Sequence, residues 1–133
     1  MQQEATKRFR AAVERKEASA VLAMFAPGIR FHGVSTGVFE GAEVVGRLVP
    51  NLLAVLKDLH YIAELHGDDT VALVFEATIG EVPAHGVDLL NFDESGLVRE
   101  FTAFLRPGKA VQALVAAMRG ERADYQADAS PEA

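Results

Sequence analysis

Two polar side chains stand in apolar stretches of the chain, and their types suit proton transfer. His32 follows Phe31 within the segment 29–34, and Asp88 lies between Val87 and two leucines. The imidazole of histidine has an unperturbed pKa of about 6.5, which suits a general base at neutral pH. A carboxylate among apolar side chains must be paired, hydrated or protonated, because burying an unpaired charge is costly. We therefore take His32 and Asp88 as the candidate catalytic residues.

Each of these two residues also has a purely structural explanation. Asp88 could anchor a hydrogen bond to a helix or to His32 and only hold the fold together. His32 could be a hydrogen-bonded histidine at the mouth of a pocket. An ionised Asp88 nearby would raise the pKa of His32 and select one tautomer. The catalytic hypothesis requires both side chains to reach one ligand atom.

The other histidines do not form a recognisable metal motif. His60 and His66 occupy opposite ends of one predicted strand, about 20 Å apart at the rise of an extended chain, so they cannot share a metal ion. His85 follows a proline at a predicted turn and is expected to face solvent, as is Glu76. The chain has no cysteine and no HExxH, glycine-rich phosphate loop or Gly-x-Ser-x-Gly motif. We expect no metal ion and no organic cofactor.

Composition favours one domain and argues against several classes of partner. The chain has 133 residues, 50% of them hydrophobic, with a formal net charge of -6 and a pI of about 5.2. An acidic surface repels phosphate backbones and anionic headgroups, so we expect neither nucleic acid nor a membrane as partner. No apolar run is long enough to span a bilayer, and residues 1–16 are too polar for a signal peptide. We expect a cytoplasmic protein.

The spacing of apolar residues divides the first half of the chain between helices and short strands. The predicted elements are helices over residues 4–15 and 17–25, strands over 29–34 and 38–41, and a helix from residue 42. Pro27 and Gly28 are expected to end the second helix. Pro50 interrupts the apolar stripe of the third helix and removes a backbone donor. It predicts a kink there, or two short helices that meet at Val49.

A period of two follows, which is typical of strands. The predicted strands cover residues 59–65, 70–79, 85–92 and 97–105, with turn-like sequences between them. Short turns between successive strands favour an antiparallel meander. Pro107 begins a last helix whose apolar stripe reaches Met118. We therefore predict one domain over residues 1–118 and a polar, disordered tail over residues 119–133.

These elements predict an α+β fold in which helices pack over one face of a curved antiparallel sheet. The concave space between the two layers is the natural position for a ligand. Strand alternation puts Gly86, Leu90 and Phe92 on the same face as Asp88. Tyr61 either directs its hydroxyl into this space or simply packs there through its ring.

Two stretches of the chain resemble the nuclear transport factor 2-like, or SnoaL-like, superfamily. The first is Ala26-Pro27-Gly28-Ile29-Arg30-Phe31-His32, followed by Gly41 just before a helix. The second runs from Val87 to Glu100 and contains a Phe-Asp-x-x-Gly turn between two strands. The resemblance spans about residues 4–118 and implies a cystatin-like cone. It says little about activity, because this superfamily hosts isomerases, dehydratases, cyclases, hydrolases and non-enzymes.

The ketosteroid isomerases of this superfamily provide an enzyme pattern for comparison. Asp88 matches their aspartate that donates a hydrogen bond to an enolate oxygen. Their general base, also an aspartate, falls at His32, and their oxyanion tyrosine falls near Phe9, which has no hydroxyl. The resemblance therefore does not imply classical ketosteroid isomerisation. Limonene epoxide hydrolases need an arginine where this chain has Gly86, and scytalone dehydratases are matched only loosely by His32 with Asp88.

The resemblance also implies a strongly apolar pocket around Asp88. The predicted lining is Phe9, Phe31, Tyr61, Leu73, Phe75, Leu90, Phe101, Ala103 and Leu105. Such a lining favours a hydrophobic or aromatic small molecule over a sugar or a nucleotide. Two hypotheses follow: a cofactor-independent isomerase, dehydratase or cyclase that works by proton transfer, or a non-catalytic binding or dimerisation module.

The resemblance implies a partner as well. Members of the superfamily often pair through the convex face of the sheet, where this chain is expected to present Val74, Val87, Leu89 and Phe104. An exposed apolar face of this kind favours association of two copies. We therefore expect a homodimer.

Overall fold

A computed structural model describes the backbone of residues 2–125 and the side chains of residues 2–120. Helices precede, interrupt and follow the strands. In chain order the elements are α1 Gln2–Glu14, α2 Ala18–Leu22, β1 Phe25–His32, β2 Val38–Glu40, α3 Ala42–Val55, β3 Lys57–His66, β4 Thr70–Ile79, β5 Val82–Phe92, β6 Val98–Arg106 and α4 Gly108–Tyr125. None of the helices among the described residues is long and apolar enough to cross a membrane.

The strands form one curved, unclosed sheet in the order β2-β1-β6-β5-β4-β3. The strands β3 to β6 form the predicted antiparallel meander, and β2 is antiparallel to β1. The sheet is nevertheless mixed, because β1 runs parallel to β6. These two strands are joined through most of the chain rather than by a short turn, so no hairpin dictates an antiparallel direction.

The structure corrects the predicted boundary between α2 and β1. The helix ends at Leu22, and β1 begins at Phe25, so Pro27 and Gly28 lie inside a strand. The register of β1 on β6 shifts between Phe25 and Arg30. Proline has no N–H to donate, and a strand accommodates it where the regular ladder is interrupted.

The two later helices also differ from the prediction. Helix α3 is continuous from Ala42 to Val55, so the division into two helices at Val49 is wrong. Pro50 is exposed, and its ring lies on the solvent side, where water can hydrate the carbonyl that loses its donor. Helix α4 continues to Tyr125, past the boundary predicted after residue 118, and residues 126–133 lie outside the described part.

Phe101 on β6 holds helix α1 and strand β1 together. Its ring stacks on Phe31, with centroids 4.8 Å apart and 10° between the planes. It also lies 6.0 Å from the ring of Phe9 and 6.1 Å from that of Phe25. All four rings are buried. Aromatic pairs at these distances contribute beyond their buried area, so this cluster joins the helical layer to the concave face.

Helix α4 packs against the far end of the meander. Ala110 and Leu114 on α4 are buried against Ile79 and Ala84, at the ends of β4 and β5 that meet at a turn. This second apolar cluster places α4 over one end of the sheet.

Gly86 on β5 is a position where a side chain has no room. A Cβ atom there would lie 2.5 Å from the carbonyl oxygen of Phe104 and 2.5 Å from Cζ of Phe75. At Gly46 in α3 the nearest atom to an added Cβ would be Cδ1 of Leu22, at 3.9 Å. Gly86 therefore lets the Phe75 ring lie against β5, whereas Gly46 has no such packing role.

We expect Gly86→Ala to lower the free energy of unfolding by about 1–3 kcal/mol, the usual cost of overpacking. Gly46→Ala is the matched control and should raise it by about 0.5–1 kcal/mol, because alanine is the better helix former. Urea denaturation of the two variants checks both values. Equal effects at the two positions would contradict the crowding at Gly86.

Candidate functional site

Asp88 and Tyr61 form a buried hydrogen-bonded pair on the concave face. The Tyr61 hydroxyl donates to Oδ2 of Asp88 at 2.8 Å. Tyr61 is 6% exposed and Asp88 is 8% exposed. Asp88 pairs with Leu73 on β4, and Tyr61 pairs with Phe75 on the same strand, so the hydrogen bond spans β4. The strand order β5-β4-β3 thus brings the two side chains together.

Burial dominates the ionisation of this pair. It raises the pKa of Asp88 to about 7, although the hydrogen bond from Tyr61 acts in the opposite direction. Burial and the neighbouring Asp88 carboxyl raise the pKa of Tyr61 well above its usual value of 10. Tyr61 therefore remains a donor, while Asp88 near pH 7 is divided between an acid that can donate a proton and a carboxylate that can accept one.

Helix α1 fixes the position of Tyr61. The backbone N–H of Tyr61 donates to Oε2 of Glu14 at 2.8 Å. The guanidinium of Arg10 lies 5.7 Å from the centroid of the Tyr61 ring and bonds Glu64 on the same strand at 2.8 Å. Since the hydroxyl is held by Asp88, Tyr61 is restrained at its backbone, its ring and its oxygen.

A cavity of about 70 Å³ lies beside Asp88, between the helices and the concave face. Asp88 is the one polar side chain among the described residues that line it. Of the predicted pocket residues, Phe9, Phe31, Phe75, Phe101, Ala103 and Leu105 line this cavity. Leu73, Leu90 and Tyr61 are buried in the adjacent core and do not line it. Further apolar side chains, absent from the prediction, include Val49, Leu52 and Leu53 on α3 and Leu56 just after it.

The structure does not bring His32 and Asp88 together. His32 pairs with Thr102 on β6, whereas Asp88 pairs with Ala103. Paired residues on neighbouring strands point to the same face, and consecutive residues point to opposite faces. His32 therefore lies on the face opposite Asp88, where its Nε2 is 2.6 Å from Oε2 of Glu100. The prediction that both side chains reach one ligand atom is wrong.

His32 faces away from Asp88 because side chains along β1 alternate between the two faces of the sheet. Phe31 is buried in the concave core, so its neighbour His32 must face outward. There it joins a group of partly exposed charges, in which Arg30 bonds Glu40 at 2.6 Å and lies 3.9 Å from Glu100. The hydrogen bond between Tyr61 and Asp88 was likewise not predicted from the sequence. The missing information was the strand order, because only the intervening β4 places β3 and β5 at the right separation.

Comparison with known proteins gives similarity in structure alone. No protein-family model matches the chain, and no curated protein matches it significantly. A solved structure described as a steroid delta-isomerase from Pseudomonas aeruginosa is 26% identical, with a TM-score of 0.88, over 95% of this chain and 94% of that one. An uncharacterised protein with a cystatin-like fold from Silicibacter pomeroyi is 28% identical, with a TM-score of 0.84, over 88% and 84% of the two chains.

The chain belongs to the nuclear transport factor 2-like superfamily. A SnoaL-like protein of unknown function from Burkholderia thailandensis also has this fold, at 22% identity and a TM-score of 0.64, over 79% of this chain and 94% of that one. The predicted superfamily and the predicted α+β cone are confirmed. A shared fold of this kind does not by itself determine activity.

The raised pKa of Asp88 predicts how stability changes with pH. Between the ordinary value of 3.8 and the folded value of about 7, the folded protein keeps a proton that the unfolded chain has lost. Stability supplied by the protonated carboxyl is therefore lost as pH rises through this window. Asp88→Asn has no such ionisation, so its stability relative to wild type should increase by on the order of 4 kcal/mol from pH 4 to pH 8.

Urea denaturation of wild type and Asp88→Asn at several pH values measures this difference. The exposed Asp68→Asn variant is the control for removing one negative charge. A difference between Asp88→Asn and wild type that stays constant, or falls with pH, would show that the Asp88 carboxyl is not desolvated.

Proposed function

We propose that this nuclear transport factor 2-like protein binds a small hydrophobic molecule through an oxygen atom, with Asp88 as the group that contacts this oxygen. The observation that carries the proposal is the position of Asp88, which is the one polar side chain in the apolar lining that the described residues form. A pKa of about 7 lets its carboxyl donate to a carbonyl or a phenol, and Tyr61 holds the other end of the carboxyl in place. Burial strengthens such a hydrogen bond, because water does not compete for it.

The size of the cavity limits the class of ligand. About 70 Å³ is less than the 150 Å³ or so of an engineered apolar cavity that binds benzene. A ligand with one aromatic ring therefore enters only if the side chains of α1 and α3 move apart. The Pseudomonas aeruginosa neighbour is described as acting on a steroid, but in this chain Phe9 offers no hydroxyl and His32 faces away. Steroid isomerisation is therefore not part of the function proposed for this chain.

Phenol and toluene test this proposal, because they differ by a hydroxyl in place of a methyl group. Phenol should raise the thermal midpoint of the wild type more than toluene does at equal concentration. Asp88→Leu should reverse this preference, because the buried leucine favours the methyl group. His32→Ala should leave the preference unchanged, since that side chain lies on the other face. Equal responses to phenol and toluene in wild type and Asp88→Leu would exclude Asp88 as the oxygen-binding group.

Catalysis by proton transfer is a second candidate, which the pKa of Asp88 near 7 favours. Isomerase, dehydratase and cyclase reactions all use such a step. A small β,γ-unsaturated ketone is a suitable substrate, since its conversion to the conjugated isomer is followed by ultraviolet absorbance. Asp88→Asn should lower the rate by about 10²–10⁴-fold, the usual contribution of a general acid or base. If the protein binds the ketone but does not convert it, catalysis is excluded and the binding function remains.

The convex face favours a second copy of the chain as partner. Ile62 is 49% exposed, Leu65 61% and Phe104 51%, and Val87 and Leu89 beside them are half-buried. An apolar surface of this kind is typical of an interface. We therefore include homodimerisation through this face in the proposed function.

Sedimentation velocity tests the dimer. Wild type should sediment as a dimer at micromolar concentration, and Phe104→Glu should sediment as a monomer because it puts a charge in the interface. Val44→Glu on α3, which is 37% exposed and lies away from the sheet, is the matched control and should remain dimeric. A monomeric wild type would contradict this part of the proposal.

A further inference from the structure

A larger groove, of about 490 Å³, lies on the other side of the sheet from Asp88. It shares no lining residue with the cavity beside Asp88, and its volume is within the usual range of ligand pockets, about 300–1,000 Å³. Four strands place polar residues in one row along it. His60 on β3 pairs with Glu76 on β4, Glu76 pairs with His85 on β5, and His85 pairs with Arg106 on β6.

The hydrogen bonds of His60 determine its tautomer. Its Nδ1 lies 3.1 Å from the backbone carbonyl oxygen of Asp58. A carbonyl oxygen carries no proton, so Nδ1 must carry the hydrogen and donate it. The lone pair of a neutral ring is then on Nε2, which lies 3.3 Å from Oε1 of Glu76. Two lone pairs facing each other at this distance need a positive charge between them, either a second proton on the ring or a metal cation.

The separation between these two atoms fits a metal ion. Zinc binds imidazole nitrogen and carboxylate oxygen at about 2.0–2.2 Å in tetrahedral geometry, which puts two such ligand atoms about 3.3–3.5 Å apart. The distance from Nε2 of His60 to Oε1 of Glu76 is 3.3 Å. An N–H donated by the other ring nitrogen to a backbone carbonyl is also the usual outer contact of a metal-bound histidine. The separation of these two atoms thus suits two ligands of one ion as well as an ion pair.

His85 is the third ligand that the sheet supplies. It lies directly across from Glu76, on the side opposite His60, and lines the same groove. Two strand spacings put the backbones of the two histidines about 10 Å apart, a distance that two imidazoles leaning towards Glu76 can bridge. Among the described residues no three His, Asp or Glu side chains yet converge as a metal site, so the His85 side chain has to turn towards Glu76.

We propose that His60, Glu76 and His85 bind one Zn²⁺ ion in this groove. Three protein ligands leave the fourth tetrahedral position to water or to a molecule in the groove. Imidazole and carboxylate ligands suit zinc, and the Glu76 carboxylate together with Asp58 at the groove offsets the charge of the ion. This site is independent of the small-molecule site at Asp88.

Metal binding is tested on untagged protein that has been treated with a chelator and dialysed against micromolar Zn²⁺. Elemental analysis should find one zinc per chain, and Co²⁺ in its place should give the visible absorption of a tetrahedral site. Removing even an outer contact of a metal ligand typically costs 10–100-fold in affinity. His60→Ala, His85→Ala and Glu76→Gln should therefore each weaken Zn²⁺ binding by at least about tenfold.

His66→Ala is the matched control and should bind Zn²⁺ as wild type does. The Nε2 atom of His66 also lies beside a carboxylate, Oε2 of Glu64 at 2.5 Å, but its cross-strand partner is Val71 rather than a possible ligand. Three outcomes would overturn the proposal: no saturable zinc binding by wild type, unchanged affinity in His85→Ala, or an equal loss in His66→Ala. The first would mean that a proton, not a metal ion, lies between His60 and Glu76.

Discussion

The hydrogen bond from Tyr61 to Asp88 makes the concave side of this cone compatible with a carboxyl group. Burial alone favours the protonated acid, and the Tyr61 hydroxyl satisfies one oxygen in either state. The restraint extends outward, since Glu14 holds the backbone of Tyr61 and Arg10 lies over its ring. Helix α1 is thus coupled to the ionisable group in the cavity, and a ligand oxygen at Asp88 would meet a donor that the protein has already oriented.

Successive side chains of a strand point to opposite faces of the sheet. The cavity beside Asp88 and the groove beside His60 therefore lie on opposite faces. On the concave face, aromatic rings around Phe101 exclude water and leave Asp88 as the polar group of a narrow cavity. On the opposite face, the row from His60 to Arg106 lies in an open groove and carries ionisable side chains in contact with solvent. The superfamily fold supplies the cone, while in this chain Phe9 offers the cavity no hydroxyl and His32 faces away from it.

Most elements of the fold follow from local patterns. Seven strongly periodic segments, the helices α1, α3 and α4 and the meander β3 to β6, appear where their apolar spacing predicts them. The errors lie where a local rule competes with pairing across the sheet. Pro27 and Gly28 usually end a helix, but here they lie in a strand whose register is interrupted at that point. The parallel contact of β1 with β6 depends on residues far apart in the chain, which no local pattern contains.

Two stretches of the sequence indicated the superfamily through their resemblance to it. The sequence by itself also determined the apolar character of the concave face and the exceptional position of Asp88. These depend on composition and on a period of two, which are local properties. Only the tertiary structure decided which side chains contact each other. Tyr61 reaches Asp88 across β4, and His60 meets Glu76, because the register of neighbouring strands sets which side chains lie opposite. His32 was excluded from the cavity for the same physical reason: adjacent residues of a strand face opposite sides, and Phe31 already occupies the core.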